Sequence, residues 1–178
     1  MTKTMFASPE RATLKEIEHD YDLIKNAPML TTILDAIPNI IIILNKERQI
    51  VYANKAMLQL LNIKDEKNLY GLRPGEALHC EHAHDNEAGC GTSKFCRECG
   101  AVRAIISSIS GKADTQECLI TQKYTNLAFE FKVSSTPMDI QNVRFTFFVI
   151  TDIGNEKRCT AWQRVFFHDI LNTAGGLL

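Results

Sequence analysis

The sequence predicts an α+β domain, a five-stranded antiparallel sheet with short helices on one face. Three observations carry this. Five short segments rich in β-branched and aromatic residues stand in two groups, two early in the chain and three late. The segments between them show short apolar periods of helical spacing rather than long amphipathic helices. One late segment alternates Phe129, Phe131 and Val133 with Glu130 and Lys132, the pattern of a strand with one buried face.

In chain order, Ala12 to about Lys25 reads as a charged helix, with Leu14, Ile17, Tyr21 and Ile24 on a narrow apolar seam. Such a seam suits self-association, or packing on the helix's own domain. Pro28 interrupts the pattern, and a second helix, Leu30–Ala36, leads to Ile37-Pro38-Asn39. Ile40–Leu44 and Gln49–Ala53 flank the polar turn Asn45–Arg48 and make a hairpin. Asn54 can cap the following helix, whose apolar face is Ala56, Met57, Leu60 and Leu61. Ala101–Ile109 reads as a helix ended by Gly111, and Thr115–Gln122, Leu127–Ser134 and Val143–Thr151 as strands. Asn155–Leu171 reads as a helix leaving the domain.

The 178 residues carry 20 basic and 21 acidic side chains, a net charge of −1. That balance excludes a general nucleic-acid binder, which needs a basic surplus. The longest aliphatic run, Ile40–Leu44, is far short of the roughly 20 residues that cross a bilayer, and the N-terminus has no signal-like apolar stretch. A soluble, cytoplasmic protein without membrane or nucleic-acid partners is expected.

Residues Arg73–Cys99 break the pattern. Their large apolar side chains are chiefly Leu78 and Phe95, so the stretch cannot order itself by burial. It holds four of the six cysteines, Cys80, Cys90, Cys96 and Cys99, spaced C-x9-C-x5-C-x2-C. In a reducing compartment such a cluster points to metal or redox chemistry rather than a disulfide framework. Four thiolates suit tetrahedral Zn²⁺ or an iron–sulfur cluster equally well by count. Gly89, Gly91 and Gly100 leave the backbone free to aim N–H groups at sulfur. His79, His82 and His84 are substitute ligands, and Arg73 or Glu76 is placed to pin the base of the loop. Gly100 after Cys99 leaves no C-x2-C-H, which argues against covalently attached haem. Cys118 and Cys159 read as packed residues rather than ligands.

Ile33-Leu34-Asp35-Ala36-Ile37-Pro38-Asn39, the crossing Ile50-Val51-Tyr52-Ala53-Asn54-Lys55-Ala56 and the exit Ile150-Thr151-Asp152-Ile153 together resemble a PAS sensory domain. Gly154 stands where that family usually has Thr. The resemblance implies a PAS fold over residues 29–153, an amphipathic N-terminal helix in 1–28, and a coiled-coil signalling helix beginning in 154–178.

A second resemblance lies in Phe166-Phe167-His168-Asp169-Ile170-Leu171-Asn172, which is similar to the phosphoacceptor box of sensor histidine kinases. It implies His168 as phosphoacceptor, Asp169 as its acid/base helper and Asn172 as an accessory polar group one turn on. Thr173 replaces the usual Pro, and Gly175-Gly176 follow. The sequence is then expected to be the input half of a larger ATP-dependent protein histidine kinase, cut just after its phosphoacceptor and lacking the ATP-binding domain. It would form a homodimer through its N- and C-terminal helices and pass phosphate to a response regulator. A cluster in a PAS-type sensor is similar to oxygen- or redox-responsive kinases, which tips the cofactor expectation from Zn²⁺ toward an iron–sulfur cluster. The alternatives are a metal-stapled PAS interaction module and a small-ligand PAS sensor with structural zinc.

Overall fold

A computed structural model of the chain describes residues 4–159 and residue 162. Its elements run α1 (Leu14–Lys25), α2 (Pro28–Ala36), β1 (Ile40–Leu44), β2 (Ile50–Ala53), α3 (Lys55–Leu61), α4 (Pro74–Ala77), α5 (Gly100–Ile109), β3 (Asp114–Thr121), β4 (Ala128–Ile140) and β5 (Val143–Asp152). The strands form one antiparallel sheet in the order β2-β1-β5-β4-β3. The first strand thus pairs with the last, with Ile42 opposite Phe148.

Side-chain alternation divides β1 between two cores. Ile42 and Leu44 join Met57, Ala104, Ile105, Phe131, Val133 and Phe148 on the face covered by α3, α4 and α5. Ile41 and Ile43 face the other way and pack with Ile17, Ile24, Leu34, Val51 and Phe145. Helices therefore cover both faces, not one: α1 and α2 close the second face over β1, β2 and β5. An uninterrupted aliphatic run such as Ile40–Leu44 is what a strand buried on both sides requires. The α1 seam is largely spent inside the domain, since Ile17 and Ile24 are buried while Leu14 stays exposed. Thr13 caps this helix in a capping box, with Glu16 returning a bond to the Thr13 N–H at 2.7 Å.

Pro28 opens α2 at its first position, where its missing N–H costs nothing, so the helix begins two residues before the sequence suggests. Strand β4 continues past Ser134 through Pro137 to Ile140. Strand β3 accompanies it only as far as Ser135, so Pro137 sits where β4 has become an edge. Gln141 and Asn142, with φ of 48° and 66°, form a two-residue turn that lets β5 follow directly.

Asn54 holds the hairpin to both adjoining helices. It is fully buried; its Oδ1 accepts from the Ile41 N–H at 3.0 Å and the Met57 N–H at 3.2 Å, and its Nδ2 donates to the carbonyls of Leu34, Ile37 and Asn39. At the other end of the domain, α5 lies so close to β3 that a Cβ on Gly100 would fall 2.1 Å from the Glu117 carbonyl oxygen. The chain leaves the sheet at Asp152, whose Oδ1 accepts from the Gly154 N–H at 2.8 Å and starts a helix over residues 154–159. Lys157 on that helix bridges Glu117 of β3 (2.7 Å) and Glu130 of β4 (3.0 Å).

Asn54→Ala leaves backbone groups of Leu34, Asn39, Ile41 and Met57 without their partner in the dry interior. It is expected to lower unfolding stability by about 3 kcal/mol, read from urea denaturation.

Candidate functional site

The cysteine-bearing stretch is ordered by polar contacts instead of a core of its own. Arg73 is fully buried and spends its guanidinium on backbone carbonyls alone. Its Nε donates to Glu47 (3.2 Å), Nη1 to Ala88 (2.9 Å) and Cys90 (3.1 Å), and Nη2 to Ser8 (3.4 Å) and Glu10 (2.6 Å). One side chain thereby joins the β1–β2 turn, the cysteine loop and the N-terminal arm. Glu76 completes the base. Its Oε2 accepts from the Arg73 N–H at 2.9 Å, and its Oε1 accepts from the Cys90 N–H at 3.1 Å and from Arg11. The sequence left the pinning role between Arg73 and Glu76, and both carry it.

The N-terminal arm lies over the loop. The Met5 and Ala7 N–H groups donate to the Thr92 and Gly91 carbonyls at 2.9 and 3.0 Å, and Arg97 returns a bond to the Met5 carbonyl. Ala7 and Phe6 pack on Cys96, Cys99 and Val102. Opposite the arm, Cys80 bridges to Gln122 after β3, and the Lys123 N–H donates to the His79 carbonyl.

Within this frame the four loop cysteines converge. Cys96 is buried and Cys80, Cys90 and Cys99 are half-buried. Each lies near enough to the other three that a thiolate at one would raise the pKa of its neighbours. Backbone N–H groups point at three of the sulfurs: His82 to Cys80, Gly75 to Cys90, and Ala101 and Val102 to Cys99, which caps α5. Ser93 Oγ lies 3.4 Å from the Cys96 sulfur. Gly75 is wedged between two of the cysteines, and a Cβ there would stand 2.6 Å from the Cys90 sulfur and 3.4 Å from the Cys80 Cβ. Burial raises the Cys80, Cys90 and Cys99 thiols above their ordinary value, so without a cation they hold their protons.

Four thiols are the donor type that a thiophilic metal takes. The sulfurs come from three loop segments, one buried and three half-buried, near N–H donors of the kind that stabilise thiolates. They do not form a closed shell: among the described residues, no group of three or more Cys, His, Asp or Glu side chains is drawn up around one point. The histidine rings have other partners. His79 meets Tyr124 edge-on, and His82 stacks on Phe95 at 4.2 Å with its Nδ1 2.9 Å from Asp85. His84 lines a surface pocket with Glu81 and His82.

Cys118, read from sequence as a packed residue, is buried in β3 but interacts with Cys80 and Cys99 and shares the Ala101 N–H with Cys99. Burial pushes its thiol up to about 12. Cys159 is exposed. His168, Asp169 and Asn172 lie outside the described residues. Sequence reasoning also missed Arg11, Arg48 and the arm around Ser8. The arm acts through backbone atoms, and neither arginine stands in a pattern that marks it.

Between α3 and the β3–β4 hairpin, Leu60, Leu61, Leu78, Ile120, Phe129 and Phe131 line an apolar cavity of about 170 Å³. That is below the roughly 300 Å³ where sites for drug-sized ligands begin. Its polar residue, Gln122, already donates to the Leu78 carbonyl.

Arg73→Met strands five carbonyls and is expected to lower stability by roughly 4 kcal/mol or more. Limited proteolysis of this variant should cut between residues 79 and 99 long before the sheet is attacked.

Residues 29–96 match the family model described as the PAS domain. No curated protein matches the chain. Among solved structures, the PAS domain of BvgS from Bordetella pertussis is 14% identical with a TM-score of 0.51, covering 84% of this chain and 98% of its own. An RNA-binding light-oxygen-voltage receptor is 16% identical with a TM-score of 0.53, covering 93% of this chain and 42% of its own. The PAS domain of nitrogen regulation protein NR(II) from Vibrio parahaemolyticus is 17% identical with a TM-score of 0.48, covering 69% of this chain and 96% of its own. At these identities the likeness is one of fold. With β1 paired to β5 in a five-stranded antiparallel sheet and a family-model match over residues 29–96, the domain has the PAS fold.

Proposed function

We propose that the chain is the sensory input region of a cytoplasmic two-component histidine kinase. Its PAS domain would read a redox, oxygen or related intracellular signal at a site made by Cys80, Cys90, Cys96 and Cys99. The observation that carries this reading is the gathering of four thiols, three of them under backbone N–H groups, in a segment with no core of its own. A metal ion or iron–sulfur cluster bound there would supply the redox or ligand-exchange chemistry of the response. The four cysteines would give up their protons to hold it, N–H groups of Gly75 and α5 would support the thiolates, and the arm with Arg73 and Glu76 would limit access of water.

The output is the helix that leaves β5. Loosening of residues 73–99 shifts α4 and α5 against the sheet, and the sheet passes that bias through Asp152 and Ile153 to residues 154–178. Two chains are taken to associate through this helix, where rotation or register decides whether His168 is presented. A neutral nitrogen of His168 then attacks the γ-phosphorus of ATP held by another domain. ADP leaves, Asp169 takes the imidazole proton, and the phosphoryl group passes on to a response regulator. A coupling of about 1–3 kcal/mol suffices for a several-fold response.

Anaerobic purification followed by metal and sulfide analysis tests the site. Iron with acid-labile sulfide and an air-sensitive colour marks a redox or oxygen sensor. One colourless zinc per chain makes the loop a structural staple and sends the search for the signal to the cavity between α3 and the β3–β4 hairpin. A chain that neither carries nor binds metal rules the site out. In the full-length kinase, Cys96→Ser with Cys99→Ser should abolish the response to signal while leaving basal autophosphorylation. Loss of all phosphotransfer in His168→Gln, with an ATP-binding domain supplied, separates a kinase input from a dimerisation module.

A further inference from the structure

Helix α1, the β1–β2 turn and the β4–β5 turn enclose an open groove of about 490 Å³, within the size range of small-molecule sites. Asn45 lines it and is only 3% exposed. The Asn45 Oδ1 accepts from the Glu47 and Gln49 N–H groups at 3.1 and 2.9 Å, which fixes the orientation of the amide. Its Nδ2 is therefore the donor end, and this buried atom has no hydrogen-bond partner among the described residues. Leaving a buried donor unmatched is costly, so the amide calls for an acceptor. Beside it stands the half-buried carboxyl of Asp20 on α1. Burial raises that carboxyl above its ordinary value, and the Asn45 amide favours its charged form without bonding to it.

The other charges around the groove are mostly matched. Glu16 is spent on Thr13, Lys46 is paired with Glu47 and Arg144 with Asp139. Arg48 of the same turn is committed to the N-terminal arm, its Nη2 donating to the Ser8 carbonyl at 2.7 Å. Asp20 and Lys15 line the groove without an ion pair among the described residues. A purely anionic ligand meets Asp20 there, and a purely cationic one meets Lys15. A molecule that carries both charges close together meets neither repulsion.

We propose that this groove binds a small zwitterion, a free α-amino acid, whose ammonium donates to Asp20 and whose carboxylate accepts from Asn45 Nδ2 and Lys15. Bound there, it ties α1 to the two turns at this end of the sheet. The site is independent of the cysteines.

Thermal unfolding of the full chain is screened against each of the common α-amino acids, and those that raise the melting temperature are titrated by calorimetry. At least one is expected to bind, and the Asn45 side-chain NH2 resonances should shift as it is added. Its N-acetyl and carboxamide derivatives, each lacking one charge, should bind roughly tenfold or more weakly. Asp20→Asn keeps the shape of the side chain and removes its charge; Asn45→Asp keeps the acceptor bonds to Glu47 and Gln49 and removes the donor. Each should weaken binding by roughly tenfold or more. Lys15→Gln, a change on an exposed side chain, should weaken it less and leave the ligand-free melting temperature unchanged. A wild-type chain that binds none of the amino acids overturns the proposal and marks Asn45 and Asp20 as a structural pair. Derivatives that bind as tightly as their parent overturn it too, as does wild-type affinity in Asp20→Asn.

Discussion

The contact on which this domain depends is the buried guanidinium of Arg73 among five backbone carbonyls. Carbonyls removed from water need donors, and a long loop with few large apolar side chains cannot find them in sheet or helix ladders. Arginine presents five donors in a rigid fork, so one side chain can satisfy acceptors from three separate segments at once. The β1–β2 turn, the loop around Ala88 and the arm at Ser8 and Glu10 are fixed to one another by this residue. Remove it and five carbonyls lose their donor, and the arm and loop are left to their backbone bonds at Gly91 and Thr92 and to the Glu76 contacts.

That geometry explains why the cysteines lie in one region of the domain. Cys80 follows α4, whose first turn is set by Arg73 and Glu76; Cys90 is held through its N–H by Glu76 and through its carbonyl by Arg73; Cys99 caps α5 against β3. Cys96 is sealed by the arm. The site is thus assembled between a rigid sheet-and-helix platform on one side and a strap of backbone on the other.

Much of the fold was legible because its strands are locally explicit. Ile40–Leu44, the alternation at Phe129–Val133 and the Asn54 cap each have one reading, and the structure adopts it. Coverage of both sheet faces was written in the unbroken aliphatic run of β1 but is easily taken for strand propensity alone. The extension of β4 past Pro137 was hidden because a proline reads as a stop unless it is known to lie on an edge. In the site, cysteine spacing and the flanking glycines were readable. Arg48 and the N-terminal arm were not, since a buried arginine and a surface one are the same letter, and a backbone-to-backbone strap has no side-chain signature.

Gly100 carries one further consequence. With a Cβ excluded and the Glu117 carbonyl against its backbone, the first turn of α5 and the middle of β3 form a joint without play. Cys99 sits at one end of this joint. At the other, the Glu117 side chain emerges on the far side of the strand and holds Lys157 of the departing helix. A rigid joint cannot absorb a displacement by repacking; it can only hand it on. The missing methyl group at position 100 therefore makes a stiff mechanical link of what would otherwise be a cushioned contact between helix and strand.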